Sequence, residues 1–140
     1  MTINYAAWLE TARLRLSAHE TPRLEAEVLL GAVTGKERSA ILAHSEYLLT
    51  EIEIDQLDAG LSRLAEGVPL PYVLGWWEFY GRRFTINADV LIPRPETELL
   101  VELAINWLNQ NPSRRRAADV GTGSGCIALT LALQTADLRV

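Results

Sequence analysis

Residues 117–134 run from a short apolar stretch, 117–120, through the string DVGTGSG at 119–125 into an apolar helical segment at about 126–134. No other feature narrows the fold as far. A strand that turns directly into a helix through three glycines at alternate positions needs backbone without Cβ atoms. The helix start behind those glycines offers N–H groups that have no intrahelical partner. Residues 138–140 read as the start of a second strand, so the expected unit is strand, glycine loop, helix, strand, as in an α/β sheet. The spacing is GxGxG, whereas a dinucleotide fingerprint has its third glycine at the position held here by Cys126. A lone glycine loop is most simply a tight turn that binds nothing. Here a strand, Asp119, three spaced glycines and an apolar helix coincide, which favours a nucleotide-like cofactor, with a nicotinamide cofactor and oxidoreductase chemistry as the minor alternative.

The first half has a different texture. Tyr5, Trp8, Leu9, Ala12 and Leu16 recur at helical spacing behind Asn4, which is placed to cap them. Thr21 and Pro22 form a cap and first-turn pair for a second helix, with Leu24, Val28, Leu29 and Val33 inward and Gly35 as its stop. A short helix follows at about 39–44. Thr50 with Glu53 is a capping box before the stripe Ile54, Leu57, Leu61 and Leu64, which ends at Gly67 and Pro69. Residues 1–66 are thus expected as a small all-α bundle. GVPLPYVLG and the aromatics at 76, 77, 79, 80 and 84 around Gly81 and Arg82 read as a β-hairpin linker over 67–94. A helix at about 96–109, with Leu99, Leu100, Leu103 and Trp107 on one face, then opens a segment at 95–140 that is read as the first part of a Rossmann-like domain. Pro112 stops that helix.

The net charge of −5 belongs wholly to residues 1–66, which hold 6 Lys/Arg against 11 Asp/Glu, while 67–140 hold 7 of each. An acidic surface repels phosphates, so a basic protein partner suits this half better than nucleic acid, unless the acids serve only solubility. Cys126 is the one cysteine. It leaves no internal disulfide, no CxxC pair and no metal cluster, which makes the cytoplasm the default compartment. Glu10, Arg13 and Arg15 interrupt the apolar run that a signal peptide needs, and no stretch approaches ~18 apolar residues, so neither secretion nor a membrane span is expected.

Two motifs together carry a family resemblance. Asp119, two residues before the first glycine, resembles the acidic residue of motif I in class I methyltransferases. LIPRPETELLVE at 91–102, preceded by PYVLGWWEFYGRRF and followed about 20 residues later by DVGTGSG, closely resembles the release-factor glutamine methyltransferases. The resemblance spans essentially all 140 residues. It implies a small helical N-terminal domain for substrate recognition, a hairpin linker and a Rossmann-like methyltransferase domain. It also implies methylation of a glutamine side-chain amide in class-1 peptide chain release factors, with S-adenosylmethionine as cofactor. Carried over residue by residue, the cofactor loop falls on Asp119, Gly121, Thr122, Gly123, Ser124 and Gly125. A substrate-side loop falls on Pro93, Arg94, Pro95, Glu96 and Thr97, with Phe79 as an aromatic near the substrate amide. Arg94 has a plainer reading as a helix-entry residue paired with Glu96 or Glu98. Arg114 to Arg116 read as a solvated run or a phosphate attractor.

The family's asparagine-proline-proline-tyrosine motif, which holds the target amide, does not occur in these 140 residues. An amide nitrogen is a poor nucleophile unless it is positioned and its proton charge relieved. The chain is therefore expected to be an N-terminal portion whose activity resides in a longer parent, inactive alone and with its catalytic residues elsewhere. Competing expectations are a methyltransferase acting on another protein or on nucleic acid, and a non-catalytic release-factor-binding module.

Overall fold

The structure, a computed structural model, describes residues 2–140. The chain divides between Leu74 and Gly75 into two compact units. The first comprises α1 (Tyr5–Arg15), α2 (Pro22–Thr34), α3 (Arg38–Ala43), α4 (Glu51–Ala65) and α5 (Leu70–Leu74). The second comprises the strands β1 (Trp76–Phe79) and β2 (Arg82–Thr85) and the helices α6 (Pro95–Gln110) and α7 (Cys126–Gln134).

Local signals set most helix ends in the first unit. Asn4 Oδ1 accepts the Ala7 N–H at 2.9 Å and starts α1. The capping box at α4 is complete: Glu53 N–H donates to Thr50 Oγ1 at 3.3 Å, and Thr50 N–H donates to Glu53 Oε2 at 2.8 Å. Gly35 closes α2 in the left-handed region, at φ 68°. Thr21 departs from expectation, because its hydroxyl bonds Glu25 rather than the backbone, leaving Pro22 alone to open α2. Trp8, Leu16, Leu30, Ile41, Leu57, Leu61 and Leu64 close a continuous core, each worth roughly 1.5–3 kcal/mol relative to exposure. At Gly60 a Cβ would stand 2.9 Å from Leu29 Cδ1, so the missing side chain is what lets α4 pack on α2.

Of the residues expected inward on α2, Leu29 is buried and Val28 and Val33 pack against the core, whereas Leu24 is 43% exposed and Ala26, Glu27 and Leu30 are inside as well. Glu27 is only 1% exposed, and its two oxygens accept Nε–H bonds from Arg23 at 2.7 Å and Arg38 at 2.5 Å. Burial alone would raise its pKa, but the two guanidinium bonds outweigh that and hold it below the ordinary carboxylate range. Residues 67–94, expected as one connector, are divided: 70–74 form α5 in the first unit, where Arg63 donates to the carbonyls of Tyr72 and Val73, and the hairpin belongs to the second.

In the second unit Trp76 pairs with Thr85 and Phe79 with Arg82. The turn is therefore Tyr80–Gly81, not Gly81–Arg82. Both turn residues have positive φ, 52° and 69°, the two-residue geometry that matches strand twist. The Tyr80 N–H donates to Glu98 Oε1 at 2.8 Å, tying the turn to α6. Phe79, Phe84, Val101, Leu108, Cys126, Leu131 and Leu138 form the core. Leu99, Leu100, Leu103 and Trp107, which share one face of α6, are 53–59% exposed, and α6 packs through Val101 and Leu108. The helix is apolar on two faces, and periodicity alone cannot say which one faces the core.

The strands expected at 117–120 and 138–140 are also absent as strands. One parallel bridge, Arg116 with Arg139, aligns the two segments through Ala117 N–H to Arg139 O at 2.9 Å and Arg139 N–H to Arg115 O at 3.0 Å. Parallel strands are sustained by pairing along a ladder and by cover on both faces, and among the described residues 117–120 have no such ladder. Arg115 is not a loose cation, since its Nη1 donates to the carbonyls of Leu108, Asn111 and Arg114 and caps the end of α6.

Glu27→Gln should lower unfolding free energy at neutral pH by about 1.5–3 kcal/mol, because an amide has one acceptor oxygen for two charged donors. A folded-state pKa held below the ordinary value near 4.5 stabilises the protein above that pH. The gap between the parent chain and the variant should therefore be full above pH about 4.5 and close as pH falls further. Urea titrations followed by circular dichroism check both points; equal stability at neutral pH would contradict this account of α2.

Candidate functional site

The loop between residue 119 and α7 is shaped by its glycines. Gly121, Gly123 and Gly125 all occupy the left-handed region, at φ 76°, 55° and 77°. Side chains are strained there, which explains three glycines at alternate positions without invoking crowding. A Cβ at Gly121 or Gly123 would meet no protein atom within 4 Å, so the space over the loop is open for a molecule to approach the backbone. The Gly125 N–H to Thr122 O bond at 2.9 Å closes the turn. Asp119 Oδ2 accepts the Thr122 hydroxyl at 2.9 Å and braces it from the other side.

Gly125 is the N-cap of α7 and supplies no side-chain cap. The first amides of α7 therefore lack the partner that Ser, Thr, Asp or Asn would give, and they form the positive end of the helix dipole. A polar or anionic group of a ligand is the natural complement.

A cavity of about 150 Å³ joins this loop to the segment before α6. Pro93, Arg94 and Thr97 line it together with Gly121, Thr122, Gly123 and Ser124. Two motifs 20 or more residues apart in sequence thus meet in one concavity. Its volume is about half the lower bound of ~300 Å³ for small-molecule pockets, so it is too small to enclose a nucleotide-sized molecule whole.

The other expected site residues lie elsewhere. Pro95 and Glu96 are exposed in the first turn of α6 and do not line this cavity. Asp119 borders a second concavity of about 220 Å³ with Leu100, Ala104 and Ile127. Phe79 is 1% exposed, edge-on to Phe84 with ring centroids 6.2 Å apart, and is a core residue of this unit. Among the described residues Arg94 makes no ion pair with Glu96 or Glu98, and Glu98 is engaged by the Tyr80 amide. Arg94 is the N-cap residue of α6, without a side-chain cap. Leu91, Ile92, Cys126 and Ile127 also line the cavity and were not named as site residues from sequence. Leu91 and Ile92 open the first motif and Cys126 and Ile127 directly follow the second, and that position was the available signal. Among the described residues no group of three or more His, Cys, Asp or Glu is placed to hold a metal ion, and no helix is long and apolar enough to cross a membrane.

Residues 7–75 match the PrmC N-terminal domain family. The chain is 43% identical over 138 residues to the release factor glutamine methyltransferase of Escherichia coli (strain K12), an alignment covering 99% of this chain and 49% of the relative. It is 43% identical over 132 residues to the protein of the same name from Nitratidesulfovibrio vulgaris, covering 93% and 44%, and 42% identical over 142 residues to that from Koribacter versatilis, covering 100% and 50%. The chain spans about half the length of the curated relatives it matches, and that half is the N-terminal one.

Gly123→Ala tests whether the loop is an open cradle or a packing element. With no atom in the way of the new Cβ, only the left-handed backbone is strained, at a cost of about 1–2 kcal/mol. Helix content by circular dichroism should stay unchanged and the melting temperature should fall modestly. Loss of the fold would mean that the loop is packed against something essential.

Proposed function

We propose, on the premise that this chain belongs to the release factor glutamine methyltransferase family and corresponds to the N-terminal half of its relatives, that it supplies the S-adenosylmethionine cradle and a partner-docking domain of such an enzyme. The whole protein then methylates the side-chain amide of a glutamine in a class-1 peptide chain release factor. The observation that carries the reading is the single cavity shared by Pro93, Arg94 and Thr97 with the loop from Gly121 to Ser124. Two motifs that resemble this family separately are neighbours in space.

Residues 95–140 serve in this reading as the opening of a Rossmann-like domain. The parallel bridge between Arg116 and Arg139, with the glycine loop and α7 between them, has the order and direction of a βαβ crossover. The cofactor, when bound, supplies an electrophilic methyl group on a sulfonium. Gly121 and Gly123 keep the loop backbone approachable, the α7 amides receive polar groups of the cofactor, and Asp119 fixes Thr122 at the rim. The loop at 93–97 borders the cavity from the substrate side. Positioning of the glutamine amide is assigned to residues outside this chain, because the asparagine-proline-proline-tyrosine motif does not occur in it.

Residues 1–66 serve as the docking domain in this reading. Their excess of acidic side chains favours a basic partner surface and disfavours direct nucleic-acid contact. The cytoplasm is the compartment that fits such a substrate. A binding module without catalysis is the second reading, and the closed core of the first unit, which needs nothing from residues 75–140, favours it enough to keep it.

In a full-length protein carrying this sequence, Gly123→Val should weaken S-adenosylmethionine binding by about tenfold or more, ~1.4 kcal/mol, and Asp119→Ala should weaken it as well. Calorimetry showing unchanged affinity in both variants would remove the cofactor assignment. Binding of that protein to a purified release factor should weaken between about 50 mM and about 500 mM salt, as exposed charge pairs are screened. Reversal of Glu51 and Asp55 should reproduce the loss, while Glu53 is left alone because it caps α4. Affinity that is flat with salt would assign the charge to solubility.

A further inference from the structure

The start of α6 carries part of the cavity wall, through Arg94 and Thr97, and it lacks the usual device for holding a helix end. Arg94, the N-cap residue, supplies no side-chain cap, so the turn is secured locally by Pro95 at its first position and by the Thr97 N–H to Arg94 O bond at 3.0 Å. A helix start without a cap frays, and fraying here would release Arg94 and Thr97 from the wall. The segment at 86–94 that leads into this turn is anchored at its entry by Ile86 N–H to Gly75 O at 3.0 Å. Its exit depends on where the turn sits.

One side chain of that turn reaches outside the helix. Glu98 Oε1 accepts the Tyr80 N–H at 2.8 Å, across 18 positions of sequence, in a partly buried setting. Tyr80 is a fixed point. The ladder of β1 and β2 ends at the Phe79–Arg82 pair, which leaves the Tyr80 amide without a cross-strand partner, and Tyr80 packs against the core that contains Phe79, Phe84 and Val101. Its φ of 52° is a conformation that residues other than glycine keep only where the surroundings hold them, and a carboxylate on its amide is such a hold. Glu96, exposed in the same turn, has no comparable bond among the described residues.

We propose that Glu98 is a positioning residue for the cavity: by taking the Tyr80 amide it locks the first turn of α6 to the hairpin, and so holds the wall of Leu91, Ile92, Pro93, Arg94 and Thr97 opposite the glycine loop. Glu98 does not line the cavity and acts through Arg94 and Thr97, its neighbours in the same turn. The consequence for S-adenosylmethionine rests on the cofactor reading of that cavity, whereas the order of the wall does not.

Two variants separate these points. Glu98→Ala removes the acceptor while keeping a good helix former, and Glu98→Gln keeps an acceptor oxygen without the charge. In the isotope-labelled 140-residue chain, nitrogen relaxation should give the amides of Leu91, Ile92, Arg94 and Thr97 order parameters near the rigid-backbone value of about 0.85. Glu98→Ala should lower them to about 0.6, Glu98→Gln should leave them near the parent values, and neither should change those of α4 or α7. In a full-length protein carrying this sequence, Glu98→Ala should weaken S-adenosylmethionine binding about fivefold by calorimetry and Glu98→Gln by no more than about twofold. Wall amides that are mobile in the parent, wall amides equally ordered in Glu98→Ala, or a glutamine variant as mobile as the alanine one would each overturn the positioning role. So would unchanged affinity in Glu98→Ala where the parent binds. If the order parameters respond as stated and neither parent nor variants bind S-adenosylmethionine, the cofactor reading falls and the positioning role stands.

Discussion

Three left-handed glycines stand between residue 119 and α7, and the functional reading of the second unit rests on them. Their backbone angles turn the chain sharply enough that α7 begins directly beside the loop, with no side-chain cap on its first amides. The same angles exclude Cβ atoms from the side where the cavity opens. Replacing any of these glycines strains the turn. The segment at 91–97 borders the same cavity as this loop, which Gly121, Thr122, Gly123 and Ser124 line from the other side.

What was legible in the sequence was mostly local. The Thr50 and Glu53 capping box, the Asn4 cap, the Gly35 stop and the Pro22 start each depend on residues within one helical turn, where spacing and geometry map one to one. Glu27 was not legible, because its burial depends on Arg38, eleven positions away, and on which face of α2 the rest of the unit selects. For the same reason Leu24 was read as core and is exposed. On α6 the choice between the Leu99–Leu103–Trp107 side and the Val101–Leu108 side depends on tertiary packing, and the longer apolar stripe is the exposed one. The glycine loop was legible in position and type; that Pro93, Arg94 and Thr97 border it and that Pro95, Glu96 and Phe79 do not required the fold. The strand at 117–120 depends on pairing, which no run of apolar residues guarantees, and one bridge to Arg139 is what the structure holds.

Charge is arranged on two scales in the first unit. Across residues 1–66 acids outnumber bases almost two to one, which sets the long-range field that a partner meets on approach. Within the unit a buried carboxylate, Glu27, holds Arg23 and Arg38 in place. Both scales can be read from named side chains, which is why each can be altered separately.

If the loop at 121–125 and the segment at 91–97 form one S-adenosylmethionine cradle, as proposed, photocrosslinking of methyl-labelled S-adenosylmethionine to a full-length protein carrying this sequence, followed by peptide mapping, will place the label on peptides containing residues 91–97 or 119–127. S-adenosylhomocysteine will displace it and a nicotinamide dinucleotide will not. Label confined to residues 1–74, or displaced by the nicotinamide dinucleotide instead, would contradict the cradle assignment.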